Sequence, residues 1–454
     1  MIHTNVRKMK IHLISIGGAV MHNLALELNR LGHKVTGSDD EVFEPSKSRL
    51  AKAGLLSSEI GWNADRVTKD IDRVILGMHA RVDNPELLKA QELGLKIQSF
   101  PEFVYEQSAD KTRVVVAGSH GKTSTTAMIM HVLRHQKIDF DYLVGSQLEG
   151  FELMVKLSDA PLIILEGDEY LSSPIDRRSK FMWYKPDIAI ITGVAWDHIN
   201  VFPTFEGYCQ QFKKFAETIK KDGSLIYYDQ DTILKDIANH ISGVKLRPYK
   251  SLEYTQIDGE IQVTSDHHTY TMNVFGKHNL ENMHSAVMAC EDLGISRKDS
   301  LEAMQSFTGT AKRLEKMYDA NGVLVYRDFA HSPSKVKATV DAVKNTFEDK
   351  KVVAVLELHT FSSLNKDFLP LYKDTMNSAD VAYVHFNTHV FEMKKMEVLS
   401  TTVVGDAFGN VNVETNLDTL WNALKSEIEK NTVFLMMSSG NFGGKSLEEL
   451  TSEG

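Results

Sequence analysis

Hydrophobic residues along this chain come in short runs that alternate with stretches of helical spacing. The first run, Ile11-His12-Leu13-Ile14-Ser15-Ile16, stops at Gly17-Gly18. Met21, Leu24, Ala25, Leu28 and Leu31 follow at i, i+3, i+4 spacing, which predicts a helix with one apolar face. After Gly32-His33, Lys34-Val35-Thr36 predicts a strand ending in Gly37-Ser38-Asp39-Asp40. Arg73–Leu76 and Lys96–Gln98 predict short strands before the segment closes near Gln107-Ser108-Ala109-Asp110.

A second series starts at Thr112. It holds the β-branched run Val114-Val115-Val116, a helix-like Ser124–His135 with Met128, Met130 and Leu133 as core, and the apolar runs Pro161–Leu165 and Asp187–Thr192. A third series begins after Lys312-Arg313, with strands at Val323–Tyr326, Val352–Leu356, Val381–His385 and Val433–Met436 and a helix over Pro333–Phe347. Alternation of strand and helix predicts an α/β fold with parallel sheets. The expected domains are a Rossmann-like one over 1–109, a central phosphate-loop one over 110–312 and a smaller Rossmann-like one over 313–454. At roughly 150 residues per domain, the 454-residue length fits three.

The first β-α-β unit carries an acidic residue about 20 positions after its glycine turn, as dinucleotide-binding folds do. Ser15 and Val20 break the G-x-G-x-x-G fingerprint, which disfavours a dehydrogenase. A turn holding another diphosphate, such as that of a UDP-sugar, fits better.

The second unit is more specific. Gly118-Ser119-His120-Gly121-Lys122-Thr123-Ser124 joins the strand to the helix. Backbone N–H groups of such a loop cradle phosphate, Lys122 can reach the terminal phosphates, and the Thr123 hydroxyl can ligate Mg²⁺. Val116 stands where the longer form of this loop has a glycine. Glu166 at one strand end and His198 after the next can hold Mg²⁺ with Thr123. No Asn-Lys-x-Asp specifies guanine, which argues against a GTPase switch.

Composition narrows the class further. A net charge of -10 with no basic run argues against a nucleic-acid surface. Two cysteines, Cys209 and Cys290, form no metal pair, suit a reducing cytosol and read as buried small residues. Met1–Lys10 has no apolar core like that of a signal peptide, and no apolar run is long enough for a bilayer. The expectation is a soluble, cytosolic protein. His267-His268 lies in a polar stretch and reads as solvent-facing.

Gly276-Lys277-His278-Asn279-Leu280-Glu281-Asn282, Lys312-Arg313-Leu314-Glu315 and Asp328-Phe329-Ala330-His331-Ser332-Pro333 complete an ordered set with the phosphate loop, Glu166 and His198. In this order the set resembles the Mur ligase family, the ATP-dependent amide ligases of peptidoglycan synthesis. The resemblance implies that ATP phosphorylates a muramate carboxylate and that an incoming amine displaces the phosphate. It places Lys122, Glu166 and His198 at the chemistry, with His278 and Asn282 on adenine and Asp328 on the ribose. Arg313 would reach the γ-phosphate, and His331 belongs to the nucleotide-binding motif. Gly17, Gly18 and Asp39 would contact UDP. Asp168, Glu169, Arg177, Arg178 and Lys180 would face substrate, the cations meeting carboxylates of muramate or peptide; the same cations also fit a solvated face.

Two kinds of member compete. Ile16-Gly17-Gly18 and Ala330-His331-Ser332-Pro333 resemble enzymes that add L-alanine to UDP-N-acetylmuramate. Glu166–Phe181, Asp197-His198, Phe202 and Met437–Gly444 resemble those adding the tripeptide L-Ala-γ-D-Glu-meso-diaminopimelate, and that reading is favoured. Three positions depart from the pattern. Ser15 replaces a loop glycine, Lys312 stands where a second arginine is common, and Arg327 stands where an acid is common. Glu357–Leu364, which should face the incoming amine, matches neither kind well.

Overall fold

The structure, a computed structural model, describes residues 8–257, 260–310 and 313–446. Residues 1–7 of the N-terminal stretch and Lys312 lie outside them. The chain forms two compact units. One takes the chain to Gly118, then Val132–Gly193 and Cys209–Pro248; the other takes Ser119–His131, Val194–Tyr208 and the chain from Tyr249 onward.

The first unit opens with a four-stranded parallel sheet in the order 34–38, 10–14, 73–76, 97–99. The strand order reverses at 10–14, so a crevice opens beyond its C-terminal end, at Ser15–Gly18. Helix 19–30 covers the sheet with Met21, Leu24, Ala25 and Leu28 buried, as their spacing predicts. The spacing did not reveal that Asn23 and Glu27 are buried too. Their carboxamide and carboxylate accept the N–H groups of Met154 (3.0 Å) and Leu157 (2.7 Å), which explains why polar side chains sit inside.

A seven-stranded sheet follows, in the order 245–249, 224–228, 188–191, 112–117, 162–166, 141–143, 155–156. Strands 112–117, 162–166 and 188–191 run parallel, and their described interiors are fully buried. Continuous apolar runs are what a parallel sheet covered on both faces requires.

The second unit contains a six-stranded sheet in the order 315–320, 323–328, 432–438, 351–357, 381–385, 412–414, parallel except for its first pair. Alternate residues serve opposite faces. Val352, Ala354 and Leu356 pack with Val336, Val340 and Val343 of helix 333–346. Val353 and Val355 pack with Leu420, Trp421 and Leu424 of helix 417–426. Each such fully buried aliphatic side chain contributes about 1.5–3 kcal/mol.

The same unit holds an antiparallel three-stranded sheet, 254–257, 260–265 and 268–272, that apolar patterning did not predict. Only Ile261, Val263, Tyr270 and Met272 are buried in its second and third strands; the other positions are polar and outward. His267 is exposed as expected, in a tight turn where Asp266 and His267 take φ of 49° and 65°. Cys290 is buried as expected, but Cys209, on helix 205–216, is only half-buried.

Candidate functional site

Register levels the three central strands: Val116 pairs with Glu166, and Ala117 with Ile191. Their C-terminal ends therefore share one edge, where open α/β sheets bind ligands. Past Ala117 the backbone turns through Gly118 at φ 130°. A Cβ there would lie 2.9 Å from the Thr192 backbone nitrogen, so only glycine fits. Gly121, at φ 78°, meets the Asn282 carboxamide so closely that any side chain would collide with it. Helix 122–135 then begins, with Thr123 and Ser124 buried in its first turn. Ser119 directs its hydroxyl inward, bonding the Tyr208 hydroxyl at 2.8 Å and accepting the Ala195 N–H at 2.9 Å. It shapes the loop with its side chain, and only its backbone is left for a phosphate.

The first unit holds the remaining strand-end groups. Glu166 is 8% exposed and accepts the Gly145 N–H at 2.9 Å. Asp168 pairs with Lys180 at 2.5 Å, and Glu169 is buried. Arg178 is engaged too: it pairs with Asp176 at 2.9 Å and lies over the Trp183 ring at 4.1 Å. Arg177 stands exposed. Two of the three cations thus already have acidic partners. At the N-terminal crevice Gly17 donates its N–H to Asp39 at 2.7 Å. Burial pushes the Asp39 carboxyl up to about 7, against the pull of that hydrogen bond. Ser15 adopts φ 68°, the left-handed conformation that the missing glycine would take at ease.

The second unit gathers the other predicted residues around Asp197, which is 5% exposed. Asp197 accepts the N–H of His198 at 2.7 Å and holds that residue at φ 55°. Strained backbone of this kind occurs where surrounding structure fixes a functional side chain. Lys335 lies 3.8 Å from the Asp197 carboxylate and His331 3.9 Å. Burial alone would raise the Asp197 pKa, but the charge of Lys335 and the hydrogen bond from the His198 N–H help hold it well below the usual carboxylate range. His331 is pushed down to about 3 by burial and then by Lys335, so its ring is neutral at ordinary pH. Its Nδ1 faces the Phe329 carbonyl at 2.8 Å. Lys335 is therefore the charged partner of Asp197. His120 is likewise held down to about 3 by burial, Lys335 and Lys122.

Around this cluster lie the nucleotide candidates. The Asp328 oxygens accept the N–H groups of Ala330 (2.7 Å) and Leu314 (2.8 Å). The Arg313 guanidinium sits 4.9 Å over the Phe329 ring. Burial lowers the His278 pKa, Asp328 opposing and Arg313 reinforcing the shift. Beside His278 opens a cavity of about 320 Å³ bounded by Tyr254, Ile261, Glu281, Asp341 and Thr346.

Sequence reasoning missed Lys335. Its signal was present: a lysine in the first turn of helix 333–346, where the helix dipole disfavours cations, and no acid in that turn. Among the described residues no three His, Cys, Asp or Glu side chains gather at metal-binding distance.

Family models match three consecutive stretches. The Mur ligase family catalytic domain matches residues 10–112, the middle domain 116–290 and the glutamate ligase domain 312–440. The chain is 29% identical to the UDP-N-acetylmuramate–L-alanyl-gamma-D-glutamyl-meso-2,6-diaminoheptandioate ligase of Haemophilus influenzae, over 96% of this chain and 97% of that one. It is 28% identical to the UDP-N-acetylmuramate–L-alanine ligase of a Sulfurihydrogenibium species, over 95% of both. The crystal structure of a murein peptide ligase from Psychrobacter arcticus superposes with a TM-score of 0.67 at 25% identity, over 98% of each chain. The chain belongs to the Mur ligase family.

Proposed function

We propose that this protein joins the tripeptide L-Ala-γ-D-Glu-meso-diaminopimelate to UDP-N-acetylmuramate, using ATP and Mg²⁺, in cell-wall peptide recycling. Family membership makes it an ATP-dependent ligase that forms an amide bond. The observation carrying the choice of acceptor is the end-to-end similarity to the Haemophilus influenzae ligase. Domains over 1–109 for the UDP-sugar, 110–312 for ATP and 313–454 for the acceptor belong to the same proposal, supported by the three matched stretches.

The donor set suits the nucleotide and its metal. Gly118 and Gly121 leave their backbone bare where a phosphate must approach, and the buried Thr123 hydroxyl stands in the first helical turn. Mg²⁺ takes only one or two protein oxygens and fills its shell with phosphate and water. As the family resemblance implies, Thr123, Glu166 and His198 would hold it, and no all-protein metal cage is needed. Mg²⁺ supplies charge neutralisation to phosphoryl transfer.

The chain's own residues do the rest. The loop N–H groups and Lys122 hold the phosphates, and Arg313 meets the γ-phosphate. The muramate carboxylate takes the phosphoryl group to give an acyl-phosphate. The acceptor amine attacks its carbonyl carbon, losing a proton, and phosphate departs. Gly17, Gly18 and Asp39 hold the UDP part; His278 and Asn282 hold adenine and Asp328 the ribose. His331, neutral and half-buried, packs beside this site. Arg177 is the cation left for a substrate carboxylate, while Lys180 and Arg178 stiffen the 168–183 segment through Asp168 and Asp176.

A second reading, addition of L-alanine, rests on the 28% identity to the Sulfurihydrogenibium ligase over nearly the whole chain. The test is product analysis. ATP, Mg²⁺, UDP-N-acetylmuramate and tripeptide should yield one amide-linked product by mass, with one ADP and one phosphate formed for each. ADP without that product would sink the proposal.

A further inference from the structure

The loop that departs most from both kinds of family member begins at Glu357. Glu357 ends strand 351–357, pairs in register with Ser438 of strand 432–438, and is buried. A carboxylate taken out of water needs donors, and here the adjoining turn supplies them. One oxygen, Oε2, accepts both the Ser438 hydroxyl and the Phe442 N–H, the latter at 3.0 Å. Ser438 in turn accepts the Gly440 N–H at 2.7 Å. Gly440 packs so tightly that a Cβ would lie 2.9 Å from that oxygen and 3.2 Å from the His359 ring. Phe442 is held at φ 49°, a conformation a phenylalanine does not keep without such restraint.

Both loops leave the C-terminal edge of the sheet, where ligands bind. The far end of the first loop reaches the Asp197 cluster. Phe368 packs on the Trp196 ring at 6.3 Å between centroids, and the Tyr372 hydroxyl donates to the His331 carbonyl. The segment that starts at Glu357 therefore runs to the residues beside the phosphate loop.

We propose that Glu357 is a positioning residue for the acceptor. It fixes the 438–442 turn against the 358–364 loop so that these two walls hold the incoming amine, and it touches no substrate itself. This rests on the ligase reading above. Because a single oxygen takes both hydrogen bonds, glutamine can reproduce the clasp and leucine cannot.

Steady-state kinetics of Glu357→Leu and Glu357→Gln test this. Glu357→Leu should raise the KM for tripeptide by about tenfold or more, since small misplacements of a reactant are costly. The KM values for ATP and UDP-N-acetylmuramate should stay as in the parent, and Glu357→Gln should restore the acceptor KM. Equal changes in all three KM values, or in kcat alone, would overturn the proposal. So would a glutamine variant as poor as leucine, because that would mean the negative charge meets the acceptor directly. If Glu357→Leu does not fold, Ser438→Ala removes the hydroxyl half of the clasp and the Gly440 acceptor with it, and should show the same split more weakly; no change in the tripeptide KM would then overturn the proposal. A parent enzyme that ligates no tripeptide would refute the functional reading instead. The clasp then stands or falls on amide exchange, which should quicken at Gly440 and Phe442 in Glu357→Leu; unchanged exchange would refute it.

Discussion

In the proposed reaction, Lys122 would neutralise charge on the transferring phosphoryl group, and Glu166 would act by holding the Mg²⁺ that does the same. Removing one preorganised electrostatic contact of this kind costs about 10² or more in rate. Lys122→Ala and Glu166→Ala should each lose at least that much ATP-dependent ligation while keeping the parent melting temperature within a few degrees. Ligation at the parent rate in either variant would mean the site is assigned wrongly. Asp39 makes a different prediction, about pH. Burial raises its pKa in the folded state from 3.8 to about 7. The folded protein therefore holds a proton that the unfolded chain releases. The stability linked to Asp39 is fully present below about pH 4 and is lost as the pH rises through about 7. Asp39→Asn accepts the Gly17 N–H without titrating. Its melting temperature should fall less than the parent's between pH 5 and 8; parallel curves would show that Asp39 ionises freely.

Elements were legible where their chemistry is local. The phosphate loop reads directly because its glycines, lysine and threonine are contiguous between a buried strand and a helix. Helix 19–30 reads directly on its apolar face but not on its buried polar one, because Asn23 and Glu27 find their partners about 130 residues away. The 254–272 sheet was missed because threonine, glutamine and other polar residues fill most of its strands, with only alternate positions buried in the second and third. At Arg178 a local partner adds to the sequence reading. Asp176, two residues earlier, takes its guanidinium, and that neighbour was visible in the sequence. Helix 19–30 also yields a stability prediction. The Glu27 carboxylate accepts the Leu157 N–H at 2.7 Å and two Arg30 donors at 2.6 and 2.7 Å. Glu27→Leu strands a buried N–H, so it should cost about 1–3 kcal/mol, and Glu27→Gln less. Denaturant melts following the first transition measure both; equal stability of parent and leucine variant would show that the bond is dispensable.

At the scale of the whole molecule, the chain reads as three successive α/β segments, and the family models fall on the same succession. No helix among the described residues is long and apolar enough to cross a membrane. Which amine is accepted is the part that sequence patterns leave most evenly divided. Gly17-Gly18 and Ala330–Pro333 point one way, and Glu166–Phe181 and Met437–Gly444 the other. In the reading proposed above, the acceptor would be read by loops such as Glu357–Leu364, which carry no periodicity and are shaped by distant partners like Ser438 and Phe442. The decisive measurement is phosphate release from ATP with UDP-N-acetylmuramate and Mg²⁺, comparing L-alanine with L-Ala-γ-D-Glu-meso-diaminopimelate. A kcat/KM for the tripeptide far above that for L-alanine is the predicted result. A preference for L-alanine would contradict the account and move the protein to the first peptide-adding step.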